Sequence, residues 1–212
     1  MGEGVVTASK YRITGKELIQ TIDNWEHLIN FKVNLIGCGG TALTLLEIKD
    51  STKDIDFIVP VNKEYERLMK FLRSLGYKEK GGGLAHSDDP YFLYQFWAGK
   101  RVHTTELLDS PLDPEKNIPI KKWRHIYLGA LNLQDLIITK IFRGTRVDVV
   151  DCVAAFAAYD INPEELLKRY AEAAKYDLNP EKMIQNFIIF TEALLEKGKV
   201  PDDFLNKVAA HK

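Results

Sequence analysis

The stretch from Val33 to Pro60, VNLIGCGGTALTLLEIKDSTKDIDFIVP, constrains the fold more than any other part of the chain. Its apolar start, residues 33–36, predicts a buried strand, and a glycine-rich turn separates that strand from a run of helix-forming residues. After a polar turn, Asp54 and Asp56 alternate with large apolar side chains, which predicts a second strand. Successive side chains of a strand point to opposite faces, so both carboxylates lie on one face. The order strand, helix, strand predicts an α/β fold.

The paired carboxylates and the preceding glycines together predict a site for a nucleoside triphosphate with magnesium. Asp54 and Asp56 repel each other on one strand face, and a hard cation such as Mg²⁺ supplies the counter-charge. Gly39 and Gly40 allow the backbone N–H groups at a helix N-terminus to approach a phosphate, and Thr41 is the next residue of the same turn. We therefore expect the two aspartates to bind the metal and the other three residues to contact phosphate oxygens.

The spacing of these residues is similar to that of a known enzyme superfamily. Gly39-Gly40, a gap of thirteen residues and then Asp54-Ile55-Asp56 resemble the Gly-Gly/Ser … Asp-hydrophobic-Asp signature of the DNA polymerase beta-like nucleotidyltransferases. Within that superfamily, the chain resembles the small, abortive-infection-toxin-like branch. The resemblance implies Mg²⁺-dependent transfer of a nucleoside monophosphate from a triphosphate to a hydroxyl group of an RNA, such as a tRNA, or of a protein. It also implies a toxin role and an antitoxin partner.

A second pattern lies on a helix predicted over residues 133–143. The core-facing stripe of this helix consists of four apolar residues, Leu133, Leu136, Ile137 and Ile141. Lys140 falls on the same stripe, where a lysine is unfavourable unless it reaches solvent or meets an anion. Arg143 is three residues further on, and the next predicted helix opens with Asp148 and Asp151.

These charged residues leave two interpretations open. In one, Lys140 and Arg143 project towards a common anion. In the other, a salt bridge from Arg143 to Asp148 or Asp151 holds a helix hairpin together, and Lys140 is solvated. The pattern Asp-Leu-Ile-x-x-Lys … Arg-Gly … Asp-x-x-Asp also resembles the second motif of the toxin-like nucleotidyltransferases. That resemblance implies that Lys140 contacts the triphosphate, that Asp148 in preference to Asp151 completes the site, and that Arg143 contacts phosphate or braces the carboxylates.

The chain departs from the superfamily at the third catalytic carboxylate, which normally lies on a neighbouring strand and acts as the general base. A strand is predicted over residues 101–108, and the position in it that aligns with the missing acid is His103. Glu106 is the next acid, but it has the opposite parity and needs a bulge to face the site. Three alternatives stay open: His103 is the base, Glu106 supplies the carboxylate, or the domain does not turn over its nucleotide.

A function from another class therefore remains open, namely a catalytically silent nucleotide-binding or protein-interaction module on the same fold. The formal net charge of −1 gives no global basic field, so an RNA partner would need a local basic patch. A metal-dependent phosphohydrolase is disfavoured because the five histidines lack metal-ligand spacing: His27, His86, His103, His125 and His211.

The expected architecture of the whole chain is α/β (α+β). A small mixed sheet with helices on one side is expected within residues 1–125, and a helical region, 126–212, is expected to pack on this core. The glycines at 81–83 predict a hairpin tip, and the prolines in 109–122 predict a loop. No apolar run reaches membrane-spanning length, and the first residues lack a signal-peptide pattern, so the expected location is the cytoplasm.

Overall fold

The computed structural model describes residues 11–211, in which a part rich in strands precedes a part made of helices. The strands are β1 (Ile13–Thr14), β2 (Val33–Gly37), β3 (Ser51–Thr52), β4 (Asp54–Val59), β5 (Tyr77–Lys80), β6 (Gly83–His86), β7 (Leu93–Ala98), β8 (Arg101–Val102), β9 (Thr105–Glu106), β10 (Asn117–Lys122) and β11 (Ile126–Leu131). The helices are α1 (Gly15–Glu26), α2 (Gly39–Leu45), α3 (Asn62–Ser74), α4 (Leu133–Arg143), α5 (Arg146–Ala158), α6 (Pro163–Ala174), α7 (Pro180–Glu196) and α8 (Phe204–Ala209).

The described residues form two compact units, and neither unit is continuous in sequence. The first comprises residues up to 99 together with 117–130, and the second comprises 100–116 together with residues from 131 onward. This division differs from the predicted boundary between residues 125 and 126. β11 follows that boundary, but it pairs in parallel with β2 from Ile126 to Ala130 and so completes the sheet of the first unit.

The first unit is built on a mixed seven-stranded sheet in the order β10-β11-β2-β4-β7-β6-β5. β4 lies between an antiparallel neighbour, β2, and a parallel neighbour, β7. The sheet is mixed as predicted, but it has more strands than the sequence predicts. One of them, β10, comes from the segment predicted as a loop because of its prolines. β10 is an edge strand, where Pro119 is tolerated because a proline removes only one possible ladder donor.

Helices α1 and α3 pack on one face of this sheet. Residues from both helices and from β2, β4 and β7 form the core of the unit: Leu18, Ile22, Trp25, Val33, Leu35, Ile55, Phe57, Val59, Leu68, Leu72 and Tyr94. The rings of Phe57 and Phe96, register partners on β4 and β7, stack on this face with centroids 5.9 Å apart. Because side chains alternate along β4, Asp54 and Asp56 lie on the face opposite these helices.

Local signals in the sequence fix several helix starts. Thr14 and Glu17 form a capping box at α1, in which the Glu17 N–H donates to Thr14 Oγ1 at 3.3 Å. Asn162 and Asn179 accept hydrogen bonds from first-turn N–H groups of α6 and α7, and a proline follows each of them. These starts depend on short-range chemistry and are therefore readable from the chain itself.

Gly81 and Gly82 form the turn between β5 and β6, which pair antiparallel, and Gly83 is the first residue of β6. Gly81 and Gly82 have φ values of +54° and +85°, in the left-handed region that favours glycine. The predicted hairpin tip is confirmed.

The second unit contains α4 to α8 around a core of its own, and the predicted helix over 133–143 is confirmed as α4. The Tyr170 ring is central to this core. Its centroid lies 4.9 Å from the ring centroid of Phe142 and 4.4 Å from the ring centroid of Phe187. The Tyr170 hydroxyl donates to the carbonyl of Met183 at 2.7 Å. Between residues 11 and 211, no helix is long and apolar enough to span a membrane.

The strand predicted over residues 101–108 is wrong as a single element. β8 and β9 are two-residue strands that pair antiparallel with each other, and they belong to the second unit. His103 lies in the turn between them with a φ of +52°, a value outside the extended region. This segment therefore does not neighbour β4 in the sheet.

Candidate functional site

Asp54 and Asp56 share one face of β4 but differ in exposure. Asp54 is exposed, whereas Asp56 is buried, with 8% of its surface accessible. A buried aspartate on a strand is costly because its carboxylate loses solvation. Asp56 is therefore the more constrained of the two side chains.

The start of α2 is fixed directly to β4 at the two aspartates. The Asp56 N–H donates to Thr41 Oγ1 at 2.8 Å, and the Thr41 hydroxyl lies 3.4 Å from the carbonyl oxygen of Asp54. The Cys38 N–H donates to the Asp56 carbonyl at 3.0 Å. Because Thr41 is buried and its hydroxyl already contacts β4, only its backbone N–H can serve the phosphate contact predicted from the sequence.

Gly39 and Gly40 bring the chain closer to these strands than any side chain would allow. A Cβ on Gly39 would lie 2.9 Å from Asp56 Oδ2, and the φ of Gly39 is +56°. A Cβ on Gly40 would lie 2.5 Å from the hydroxyl of Thr52. The glycines thus place the first turn of α2 against the Asp56 carboxylate. The first N–H groups of a helix have no acceptor within the helix, so backbone donors of α2 lie beside this carboxylate.

The donor set of this face fits a cation that is shared with a ligand. Among residues 11–211, no group of three or more His, Cys, Asp or Glu side chains could hold a metal ion. Mg²⁺ is commonly held by one or two carboxylates together with substrate phosphates, and it retains water in its remaining positions. Asp54 and Asp56 fit that mode, and they do not fit a closed protein cage.

The structure identifies a residue beside Asp56 that the sequence reasoning missed. The parallel neighbour of β4 is β7, where Gln95 is the register partner of Asp56 and Leu93 is the partner of Asp54. The prediction that placed His103 at this position is wrong, because residues 101–108 are not part of this sheet. Glu106 is exposed at the end of β9, in the second unit. The available signal was the alternation of residues 91–97, which predicts a strand but does not say which strand it pairs with.

In the second unit, Lys140 is buried between two carboxylates. Only 4% of its surface is accessible, and its Nζ lies 2.8 Å from Asp151 Oδ2 and 3.4 Å from Asp148 Oδ1. The alternative in which Lys140 is solvated is therefore wrong. Lys140 falls on the core-facing stripe, as the periodicity predicts, and the carboxylates of Asp148 and Asp151 balance its charge.

Arg143 makes the salt bridge that the sequence allows. Its Nε donates to Asp148 Oδ2 at 2.8 Å, and its Nη2 donates to Oδ1 at 2.5 Å. The Asp148 carboxylate also accepts from the Thr145 hydroxyl at 2.6 Å, in the capping box of α5. Burial raises the pKa of Asp148, but the hydrogen bonds from Arg143 and Thr145 and the charge of Lys140 outweigh it and lower the pKa to about 2. Asp148 is therefore ionised near neutral pH.

His103 lies next to this cluster. Arg143 Nη1 is 3.4 Å from His103 Nε2, a contact that needs a neutral imidazole accepting through Nε2. Burial lowers the pKa of His103, and the positive charge of Arg143 lowers it further. The contact with Arg143 and the lowered pKa both favour a neutral His103 ring near pH 7.

The predicted site residues thus form two groups. The first unit brings together the residues of the first motif, which are Gly39, Gly40, Thr41, Asp54 and Asp56. The second unit brings together the residues of the second motif and the histidine, which are His103, Lys140, Arg143, Asp148 and Asp151.

Two cavities within single units lie away from these residues. The first unit has a cavity of about 560 Å³ lined by α1, the end of α2 and Lys121, and neither Asp54 nor Asp56 lines it. The second unit has a cavity of about 460 Å³ between the β8–β9 hairpin and residues 172–177. Both mix lysine or arginine with acidic side chains, so neither has the single-sign lining that favours an anion.

Comparison with known proteins finds similarity in structure and not in sequence family. No family model matches the chain, and no curated protein matches it. The structure is similar to the crystal structure of an antigenic nucleotidyltransferase-like protein from Paracoccidioides brasiliensis, with a TM-score of 0.47 and 12% sequence identity. The match covers 89% of this chain and 92% of that one. At this level of similarity, function has to be inferred from the residues of the chain itself.

Proposed function

We propose that this chain is a magnesium-dependent nucleotidyltransferase that transfers a nucleoside monophosphate from a triphosphate to a hydroxyl group of an RNA or a protein. The observation that carries the proposal is the position of Asp56 against Gly39, at 2.9 Å from where a Cβ would be. This arrangement puts a buried carboxylate beside the first backbone donors of α2. A cation held by that carboxylate and a phosphate held by those donors would be neighbours.

Each residue of the first motif has a separate task in this proposal. Asp56, whose backbone N–H donates to Thr41, would bind the metal from its buried position, and the exposed Asp54 would bind it from the solvent side. The N–H groups of Gly39 and Gly40 would donate to phosphate oxygens. α2 has seven residues, so these individual donors matter more than a long helix dipole. When bound, Mg²⁺ neutralises phosphate charge and supplies Lewis acidity.

The residues of the second motif have roles in this proposal that differ from those implied by the sequence resemblance. Lys140 is already paired with Asp151 and Asp148, so contact with a triphosphate would leave two buried carboxylates with less counter-charge. Arg143 has 45% of its side chain exposed while it holds Asp148. We therefore assign any phosphate contact of this motif to Arg143, and we assign Lys140 and Asp148 to holding α4 and α5 together.

The test is calorimetric titration of the full chain with ATP, CTP, GTP and UTP in turn, with Mg²⁺ and with EDTA. Wild type should bind at least one triphosphate only when Mg²⁺ is present, and Asp56→Asn should lose that binding while keeping its circular dichroism spectrum. Asp88→Asn is the matched control. This substitution removes the same charge from the same unit, and the Asp88 side chain is 89% exposed. Equal binding by wild type and Asp56→Asn, or no binding by wild type, contradicts the proposal.

The second candidate function is a silent nucleotide-binding module, and the observation that favours it is Gln95. An amide stands beside Asp56, where a general base would need a carboxylate. Transfer of label from an α-labelled triphosphate to total RNA or protein separates the two candidates. Transfer by wild type that is absent in Asp56→Asn supports the enzyme, and binding without transfer supports the module.

The toxin role and the antitoxin partner are further proposals that follow from the sequence resemblance. If the chain is a toxin of this class, its expression should slow growth of the host, and Asp56→Asn should restore growth at equal protein level. Equal growth with both chains contradicts the toxin role but leaves nucleotide transfer untouched.

A further inference from the structure

Gln95 on β7 lies between Asp56 on β4 and Gly83 on β6, in a row that crosses these three strands. In parallel pairing, register partners point to the same side of a sheet, and Gln95 is the partner of Asp56. Neighbouring strands are about 4.8 Å apart, so the amide of Gln95 and the Asp56 carboxylate can reach one small ligand. On the far side, a Cβ on Gly83 would lie 3.1 Å from Gln95 Cγ. Glycine at 83 therefore leaves room for the Gln95 side chain.

The residues next to Gln95 in sequence show which face of β7 carries its side chain. Its sequence neighbours Tyr94 and Phe96 pack in the core with α1 and α3, and the Phe96 ring stacks on Phe57. Alternation along β7 then directs Gln95 to the side that carries the two aspartates. Gln95 is half-buried on that side, so its amide remains accessible to a ligand from solvent.

The chemistry of an amide differs from that of a carboxylate in two respects. Its oxygen is a good ligand for a hard cation, but it carries no charge. It also cannot accept a proton from an attacking hydroxyl group at neutral pH. With Gln95 at this position, the charge of the three side chains at the site is −2, which one divalent cation balances.

We propose that Gln95 is the third oxygen donor beside Asp54 and Asp56, and that these three side chains hold a single divalent cation. The inference rests on the proposed function, because the cation is the one that the nucleotide would share. It predicts that the metal site is weak without nucleotide. A glutamate at 95 should strengthen the site, since affinity for such cations rises with the number of charged ligands.

The experiment is titration of the full chain with Mn²⁺ alone, followed by electron paramagnetic resonance and calorimetry. Wild type should bind one Mn²⁺ per chain. Gln95→Ala should weaken this binding by about tenfold or more, and Gln95→Glu should strengthen it by a similar factor. Gln20→Glu is the matched control, because it adds the same charge on α1 and should leave Mn²⁺ affinity unchanged. Thermal unfolding of each variant checks that the fold is retained.

Two outcomes overturn the inference while the proposed function stands. In the first, both Gln95 variants bind Mn²⁺ as wild type does, while Asp56→Asn binds none. In the second, wild type binds two Mn²⁺ ions per chain. If wild type binds no Mn²⁺, either alone or with any of the four triphosphates, this inference and the proposed function fall together.

Discussion

Asp56 Oδ2 lies 2.9 Å from the position that a Cβ on Gly39 would occupy, and the φ of Gly39 is +56°. Gly39→Ala should therefore push the carboxylate aside and also strain the backbone. Gly81→Ala is a matched control, because Gly81 has a φ of +54° and no atom within 4 Å of the added Cβ. Both variants should lose about 1–2 kcal/mol of unfolding free energy in urea, from the left-handed backbone alone.

Only Gly39→Ala should also lose Mg²⁺-dependent triphosphate binding, measured by calorimetry at a temperature where both variants are folded. The carboxylate is the end of a side chain and can move, so the added methyl group should displace Asp56 instead of unfolding the unit. Unchanged triphosphate binding in Gly39→Ala would show that the position of Asp56 does not matter for the ligand.

Lys140 and Asp151 form a buried pair at 2.8 Å, so removal of either partner should be costly. Lys140→Ala should lower the unfolding free energy by about 3 kcal/mol, because it leaves a buried carboxylate with less counter-charge. In a double-mutant cycle with Asp151→Ala, the coupling should be about 1–3 kcal/mol. If Lys140→Ala keeps full stability and loses only triphosphate binding, the phosphate role predicted from the motif is preferred over the structural one.

Asp148 should keep its charge to unusually low pH. Its ordinary pKa of 3.8 is lowered to about 2 in the folded chain, so ionisation of this group favours the folded state. That contribution is present above about pH 4 and is lost as the pH falls towards 2. Arg143→Gln removes two hydrogen bonds to the carboxylate and should raise the pKa. Carboxyl chemical shifts in nuclear magnetic resonance spectra give the midpoint for each chain.

Arg146→Gln provides the control for this titration, since Arg146 is exposed at the start of α5 and the same charge is removed close by. The midpoint of Asp148 should stay near 2 in this variant. An equal rise in both variants would mean that general charge, and not the direct hydrogen bonds, sets the pKa.

Asn186 on α7 closes the end of α4. Its Nδ2 donates to the carbonyls of Ile141 and Phe142 at 3.0 and 3.2 Å, next to Gly144, which has a φ of +65°. Asn186→Ala leaves these carbonyls without that donor and should lower the unfolding free energy by about 1–2 kcal/mol. Asn24→Ala should cost much less, because the hydrogen bond that Asn24 accepts from Gln20 is exposed to solvent. Urea unfolding of both variants tests the difference, and equal losses would contradict it.

The sequence predicts those parts of the fold that depend on near neighbours along the chain. The hairpin at Gly81 and Gly82, the strand that carries Asp54 and Asp56, and helix α4 follow from turn chemistry and periodicity. Strand partners are set by contacts between distant residues, and no local pattern encodes them. For that reason β10 is hidden in a proline-containing segment, and β11 falls on the wrong side of the predicted boundary.

The same distinction applies to the candidate site. The face of β4 and the glycines of α2 could be predicted, because parity and spacing are local properties. Gln95 could not, because its importance comes only from the register between β4 and β7. Periodicity places Lys140 on a buried stripe but does not name its partners. Its pairing with Asp151 depends on how α4 and α5 pack.

The interrupted sequence of the first unit has a consequence for synthesis on the ribosome. β2 has β11 as its parallel neighbour, so the sheet that carries Asp56 lacks an interior strand until about residue 131 has left the exit tunnel. By then the first segment of the second unit, residues 100–116, is already outside. The face that carries Asp54 and Asp56 is thus finished late, and a chain cut after residue 99 would expose an unpaired edge of β2 to aggregation.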